Sequence, residues 1–192
     1  MVPPRSDELQ RTVLDAAIAI AANEGPDAIS MRDIARRAGV SHQAPYHHFG
    51  DRTGIFAAIV EEGFTELAER LELSRSTGAS SMCEAYVHFA LGHRGHFRVM
   101  FRADLCNLAN YPSAASVAEQ AFAVLINEVK SIVGDSTDEN SIRTQATFMW
   151  SIAHGLATLL IDGPLEGRFG EFADVDALIR DVSLIAARSL QA

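Results

Sequence analysis

Cysteine, proline, long apolar runs and excess positive charge are all scarce in this 192-residue chain. Each scarcity closes a class. Two cysteines, Cys83 and Cys106, make no disulfide framework, so a reduced, cytoplasmic protein is expected. No stretch approaches the roughly 18 uninterrupted apolar residues of a membrane span. The opening residues, MVPPRSDE, are not followed by the apolar core of a secretory leader. Six prolines and no alternating runs of Val, Ile and Thr argue against a sheet protein. A formal net charge of -9 excludes a protein that coats nucleic acid through broad positive surface.

Catalytic and metal chemistry are also missing. His88, His93 and His96 lie near one another in sequence, but no close Cys or carboxylate completes a ligand set. Gly163 to Gly170, GPLEGRFG, lacks the Lys-Ser/Thr ending of a phosphate loop and follows no strand. No enzyme activity, cofactor or metal is expected.

What the chain does hold is helical periodicity. With 48% hydrophobic residues it is large enough to bury a real core. Leu9, Val13, Leu14, Ala17, Ile18 and Ala21 mark a first helix over 7–23, stopped by Asn23-Glu24-Gly25-Pro26. Ile55, Phe56, Ile59, Val60, Phe64, Leu67 and Leu71 predict a long fourth helix, capped by Asp51. Ser74 to Ser80 is the clearest loop in the middle of the chain. Further helices are expected over 81–92, 96–108, 114–133, 141–161 and 174–190. Inward positions include Phe122, Leu125, Ile126 and Val129 in the third of these, and Ile179, Val182, Ile185 and Ala186 in the last.

Between the first and fourth helices lies the stretch around which the chain is organised, Ser30 to His48. Ser30 caps a short helix, with Asp33 three residues on in the manner of a capping box. Gly39 permits the sharp turn, Val40 buries it, and Ser41 caps a second short helix, roughly Ser41 to His47. That spacing is a helix-turn-helix, whose second helix enters the DNA major groove. The charge supports it locally. Residues 1–55 hold 6 Lys+Arg and 7 Asp+Glu, a net of -1, while the remainder holds 10 and 18, a net of -8.

Residues 29–41, ISMRDIARRAGVS, and 45–49, PYHHF, together with Leu14, Ala17, Gly25, Thr53 and Phe56, resemble the DNA-binding domain of the TetR family of bacterial transcriptional regulators. The resemblance covers about the first third of the chain. It implies an all-α fold: a three-helix DNA-binding domain (1–52), a connecting fourth helix (52–73), and a helical effector-binding and dimerisation domain (74–192), about nine helices in all. His42, Gln43 and Ala44 are expected to contact bases, since Gln can bond adenine, His a guanine acceptor, and Ala a thymine methyl or the preceding helix. Ser41, Tyr46, His47 and Arg52 are expected on phosphate, joined by Arg32, Arg36 and Arg37. Arg52 stands where family members commonly carry Lys. Pro45 stands where most carry Leu or Ile, and its missing amide trims a helical bond.

The resemblance also implies a homodimer through the last two helices. Trp150, Ile152, Leu159 and Ile161 lie off their helix's main stripe, which calls for a second partner surface. Residues 150–157, WSIAHGLA, resemble the tryptophan-histidine-glycine signature of one TetR branch, with Gly155 permitting close helix approach. Phe89, Phe97, Phe101, Arg102, Leu105, Phe122, Gln145, Met149, Trp150 and His154 form a candidate pocket for an unknown small-molecule effector. The expected function is a sequence-specific regulator of a near-palindromic operator on double-stranded DNA, acting as a repressor released by a small, mainly apolar ligand. The alternative is a dimeric helical small-molecule-binding protein without operator binding.

Overall fold

The apolar repeats become nine α-helices among the described residues of the computed structural model, which are 6–134, 137–163, 165 and 174–190. In chain order they are α1 (Ser6–Glu24), α2 (Met31–Ala38), α3 (Ala44–Phe49), α4 (Arg52–Arg75), α5 (Ala79–Gly92), α6 (Arg94–Met100), α7 (Pro112–Val133), α8 (Glu139–Ile161) and α9 (Val175–Arg188). Short 3-10 turns occupy Pro26–Ala28 and Leu108–Asn110. The architecture is the expected one: a three-helix head, a long fourth helix, and a helical remainder. The amino-terminal arm to Arg5, and all but Gly163 and Leu165 of the connection expected over 163–172, lie outside the described residues.

Contacts gather the chain into two units, Met1–Phe64 with His93–Ala118, and Thr65–Gly92 with Glu119–Ala192. Helices α4 and α7 each contribute to both.

In the first unit α1 is the hub, packing against α2, α3 and α6. Val13, Leu14, Ala17, Ile20 and Ala21 are its buried face. Helix α6 comes close enough that a Cβ on Gly95 would lie 2.4 Å from the Ile18 carbonyl oxygen. Arg98 of the same helix donates to the Ala22 carbonyl at 2.6 Å. That carbonyl is among the last four of α1, which have no intrahelical donor, and α1 has no basic residue of its own in its last turn. Where α4 meets α6, His96 is only 7% exposed and donates from Nε2 to Glu62 at 2.9 Å. Glu62 also accepts from Arg11 of α1. His96 Nδ1 is buried without a partner.

Helix α6 is shorter than its apolar pattern predicts, ending at Met100 rather than Leu108. Arg102 closes on Asp104 through Nε at 2.8 Å and Nη2 at 2.7 Å. Residues two apart do not face each other on a helix, so this clamp and a helix are incompatible. Asn107 then caps the Leu108–Asn110 turn by accepting from the Ala109 amide.

In the second unit α5, α8 and α9 pack on one another. Met82, Tyr86 and Phe89 meet the stripe of Ile142, Ala146, Met149, Ala153 and Leu156, all buried. Asp138 and Asp174 cap α8 and α9. Two inward assignments do not hold. Phe122 is 36% exposed because the buried face of α7 is made by Ala118, Ala121, Glu128 and Val129, about 100° round the helix. Ile185 is 67% exposed because α9 buries Ile179, Ser183 and Ala186 instead. In both helices small or polar residues hold much of the inner face, so the large apolar ones alone misplace it.

Gly95→Ala is expected to destabilise the chain by about 1–3 kcal/mol in a denaturant melt, since the colliding atom is backbone and cannot swing away. Unchanged stability would mean that α6 does not lie this close to α1. A pH effect is also expected. Burial lowers the His96 pKa, opposed by the Glu62 carboxylate, so the unfolded chain takes up the proton first. Stability present above the ordinary imidazole value, about 6.5, is therefore lost as pH falls from there toward the folded value. Burial shifts His154 in the same direction. Thermal melts at stepped pH should show the acid-side loss reduced in His96→Gln, and separately in His154→Gln; a loss equal to that of the parent chain in both would refute this source.

Candidate nucleic-acid interface

The reading element is built by caps and one glycine. Ser30 Oγ accepts from the Asp33 amide at 3.1 Å and starts α2. Gly39 ends it in the left-handed region (φ 67°), with its amide reaching back to the Ala35 and Arg36 carbonyls. Ile34 and Ala35 hold α2 to the core at 0% and 2% exposure. The Asp33 carboxylate turns outward to Arg36 Nε (3.0 Å) and Arg37 Nε (2.8 Å). The bond from Arg36, ahead of the other charges, holds its pKa below the usual carboxylate range.

The second helix begins three residues later than Ser41. Ser41 is not its cap; Gln43 holds that position, without a side-chain bond. The cause is Pro45. A helix starting at Ser41 needs the residue-45 amide to reach the Ser41 carbonyl, and proline has none. The Ser41 carbonyl instead accepts from Ala44 in a tighter turn, and the helical ladder opens with His47 donating to Gln43 at 2.9 Å. His42 and Gln43 are thereby presented on a turn, not on the helix itself.

Exposure sorts the expected contacts. Ser41, His42, Gln43 and His47 are exposed, and Tyr46 is 45% exposed. Ala44 is 6% exposed, so of its two roles packing is the one the structure supplies. Arg32 is exposed, with no ion pair or hydrogen bond among the described residues. Arg37 is held by Glu24 as well as Asp33. Arg52 turns inward: its Nη2 donates to the Pro26 and Asp27 carbonyls at 3.1 and 3.2 Å, and its guanidinium lies 5.0 Å over the Phe56 ring. The start of α4 is capped by Asp51, which accepts from the Gly54 amide at 2.9 Å. An open cleft of about 670 Å³ brings Arg32, Arg36 and His42 together beside Ser30 and Asp33.

The expected effector residues divide between the units. Phe97, Phe101, Arg102 and Leu105 belong to the first, where Phe101 meets Phe64 and Phe97 edge-on. Arg102 is engaged by Asp104 and Asp27. Phe89, Phe122, Gln145, Met149, Trp150 and His154 belong to the second. There Tyr86 makes the junction: its hydroxyl meets His154 Nδ1 at 2.8 Å and accepts from Trp150 Nε1 at 3.3 Å. Phe122 packs edge-on against Trp150 at 5.1 Å. Burial raises the Tyr86 pKa and lowers that of His154, so both stay neutral near pH 7. Gln145 Oε1 is buried without a partner. No local sequence signal gives Tyr86 a polar role, because its partners lie more than sixty residues away.

Comparison with known proteins agrees with this geometry. A family model described as "Tetracyclin repressor-like, C-terminal domain" matches residues 79–182, more than half of the chain. A second, "Bacterial regulatory proteins, tetR family", matches residues 13–59. The chain belongs to the TetR family of bacterial regulatory proteins, a non-catalytic family of DNA-binding transcriptional regulators. It is 22% identical over 82% of its length to the HTH-type transcriptional regulator YobS of Bacillus subtilis, covering 81% of that protein. It is 34% identical over 70 residues to an HTH-type transcriptional repressor of Mycobacterium tuberculosis, a match spanning 36% of this chain and 37% of that one. Among solved structures, a protein of unknown function from Rhodococcus sp. RHA1 superposes with a TM-score of 0.72 at 28% identity, covering 96% of each chain. The regulator PfmR of Thermus thermophilus shares the fold, with a TM-score of 0.68 at 19% identity over 92% of this chain and 97% of that one.

The inward Arg52 and the outward Arg32 should separate in a stability assay. Arg52→Met is expected to cost about 1–3 kcal/mol, the scale of charged hydrogen bonds to carbonyls, while Arg32→Gln leaves the melt within about 0.5 kcal/mol. Equal effects from both would show that Arg52 does not brace the head.

Proposed function

We propose that the chain is a homodimeric repressor that reads a near-palindromic operator and is released by a small, mainly apolar ligand. Residues 1–52 read DNA, 52–73 connect, and 74–192 bind effector and partner. The observation that carries the reading is the exposed set of His42, Gln43, Tyr46 and His47 on a head whose backbone is fixed by Ser30, Gly39 and Asp51. His42 and Gln43 address base edges; Ser41, Tyr46, His47, Arg32 and Arg36 address phosphates and set the register. Arg37 and Arg52 act mainly by bracing the head.

Dimerisation is supported by exposed apolar residues on the last two helices. Phe148 and Leu159 of α8 are 43% and 44% exposed, and Leu184 of α9 joins Ile185. Gly155 lies between Phe148 and Leu159 at helical spacing with nothing within 4 Å of its added Cβ. The close approach its small size allows is therefore open to a second chain. The Trp150, His154 and Gly155 pattern favours the tryptophan-histidine-glycine branch of the family. For the effector, the second unit offers Phe122, Trp150 and the Tyr86–His154 pair, an aromatic wall with few polar points. Release requires that the ligand bind the DNA-free state more tightly than the DNA-bound one. No described helix is long and apolar enough to cross a membrane; a cytoplasmic location suits the function.

Selection from a random duplex library is expected to enrich an inverted repeat, with affinity falling steeply as salt rises. Leu159→Asp with Ile185→Asp should sediment as a folded monomer and lose most operator affinity. No enrichment at any salt would overturn the operator reading in favour of a helical small-molecule-binding protein. Enrichment by a double variant that remains dimeric would overturn the assigned interface.

A further inference from the structure

The short helix α3 carries a buried proline in its first turn. Pro45 offers no donor and packs inward beside Ala44, so it reads nothing itself. Its effect falls on the residues just before it. With no amide at position 45, the Ser41 carbonyl accepts from Ala44 at 3.0 Å, and Ser41 to Ala44 close as a turn. Gln43 takes φ -84° and ψ -19°, close to the third position of a type I turn and flatter than the helical ψ of about -42°. Its side chain makes no capping bond, and both it and His42 are exposed. The α-helical ladder starts with His47 on the Gln43 carbonyl at 2.9 Å. Tyr46 and His47 therefore stand on helical geometry, while His42 and Gln43 stand on a tighter turn. Such a turn advances about 2.0 Å and about 120° per residue, against about 1.5 Å and about 100° in an α-helix. Over two residues the offset reaches about 1 Å and about 40°.

We propose that Pro45 is a positioning residue that sets the operator's sequence: by withholding one amide it holds His42 and Gln43 out of helical register, and so selects the base pairs they address. This rests on the reading of the chain as an operator-binding regulator. Base-edge hydrogen bonds tolerate little displacement. Donor and acceptor must lie about 2.7–3.2 Å apart, and the bond weakens steeply off line. A glutamine on adenine needs two such bonds at once, so a shift of about 1 Å breaks one of them or moves the pair to another base. Phosphate contacts hold the head in place without reading sequence, so they do not correct for that shift. The rest of the head does not depend on the residue-45 amide. Ser30 and Gly39 fix α2, and Asp51 caps the start of α4. An amide restored at position 45 would find the Ser41 carbonyl four residues back. That bond would extend α3 over His42 and Gln43.

The test compares Pro45→Ala and Pro45→Leu with the parent chain. Both restore the amide, and leucine also fills the buried space that alanine gives up. Circular dichroism confirms that each variant is folded. Hydrogen exchange should show the residue-45 amide protected in both variants. Selection from a random duplex library should return from both a half-site different from the parent's. The changed base pairs should be those at which His42→Ala or Gln43→Ala relaxes the parent's preference. The parent's operator should bind the variants about tenfold or more weakly, the scale of one lost bidentate pair, with an unchanged salt slope. Variants that protect the amide yet enrich the parent's sequence overturn the proposal. So does an unprotected amide, since the turn is then not held by the proline. A new half-site from Pro45→Leu alone assigns the effect to side-chain volume and overturns the role of the amide. Weakening that is uniform across sequences makes Pro45 purely structural and overturns it as well. In each of these cases the parent still enriches an operator and the regulator reading stands. A parent chain that enriches no sequence overturns the regulator reading itself, and this proposal with it.

Discussion

A helix that ends inside a protein must find donors for its last carbonyls, and α1 finds one on another helix. Arg98 supplies it from α6, and Gly95 lets α6 lie against the α1 backbone closely enough for the bond to form. The turn that follows α1 is held from the other side by Arg52, through the Pro26 and Asp27 carbonyls. Those two arginines bracket the short path from α1 to α2, which sets where α2 begins and hence where Gly39 turns the chain toward DNA. Removing this clasp would leave Ser30 and Gly39 able to shape local turns, but with no fixed frame to aim them. The three-helix head is therefore not self-sufficient in its polar bonds, and residues 93–118 complete its unit.

The charge arrangement follows from the same division of labour. A net of -9 keeps the chain from lying on DNA indiscriminately, and the few arginines near the reading turn are mostly committed to holding it in shape. Rigidity and attraction compete for the same side chains here. A guanidinium bonded to Asp33 fixes the α2 surface but offers a duplex only part of its charge. The outcome is a head that positions exposed polar residues accurately and carries little fixed electrostatic pull.

Much of this was legible in the sequence where local chemistry decides. The Ser30 cap, the positive-φ Gly39, the Asp51 cap and the α4 stripe each rest on a few adjacent residues, and each stands as read. Legibility failed where a rule had a competitor. Ser41 has the right side chain for a cap, but the missing amide of Pro45 delays the helix past it. The apolar pattern of 96–108 reads as helix until Arg102 closes on Asp104. Phe122 and Ile185 mislead because alanine, serine and a buried glutamate hold much of the inner faces of their helices. Arg52 sits at a helix start, where an anion is usually welcome, yet its partners are carbonyls twenty-five and twenty-six residues earlier, which no spacing rule reveals. Long-range polar bonds were the part of the candidate site that sequence could not supply.

The same economy bears on assembly. One head exposes only a short turn and one face of a six-residue helix, enough to read a few base pairs. With little fixed charge behind it, a single head would bind DNA weakly. Joining two heads makes the second engagement intramolecular, and overall affinity can then exceed that of either by about a hundredfold or more if the half-sites match the spacing. That gain depends on geometry, so it is also the quantity a ligand can remove without touching a reading residue. The exposed apolar residues of α8 and α9, costly to leave in water, are what such a joint would bury. In the proposed dimer, weak heads and a strong joint are complementary features: the weaker each head, the more completely a change in their spacing would switch the dimer off.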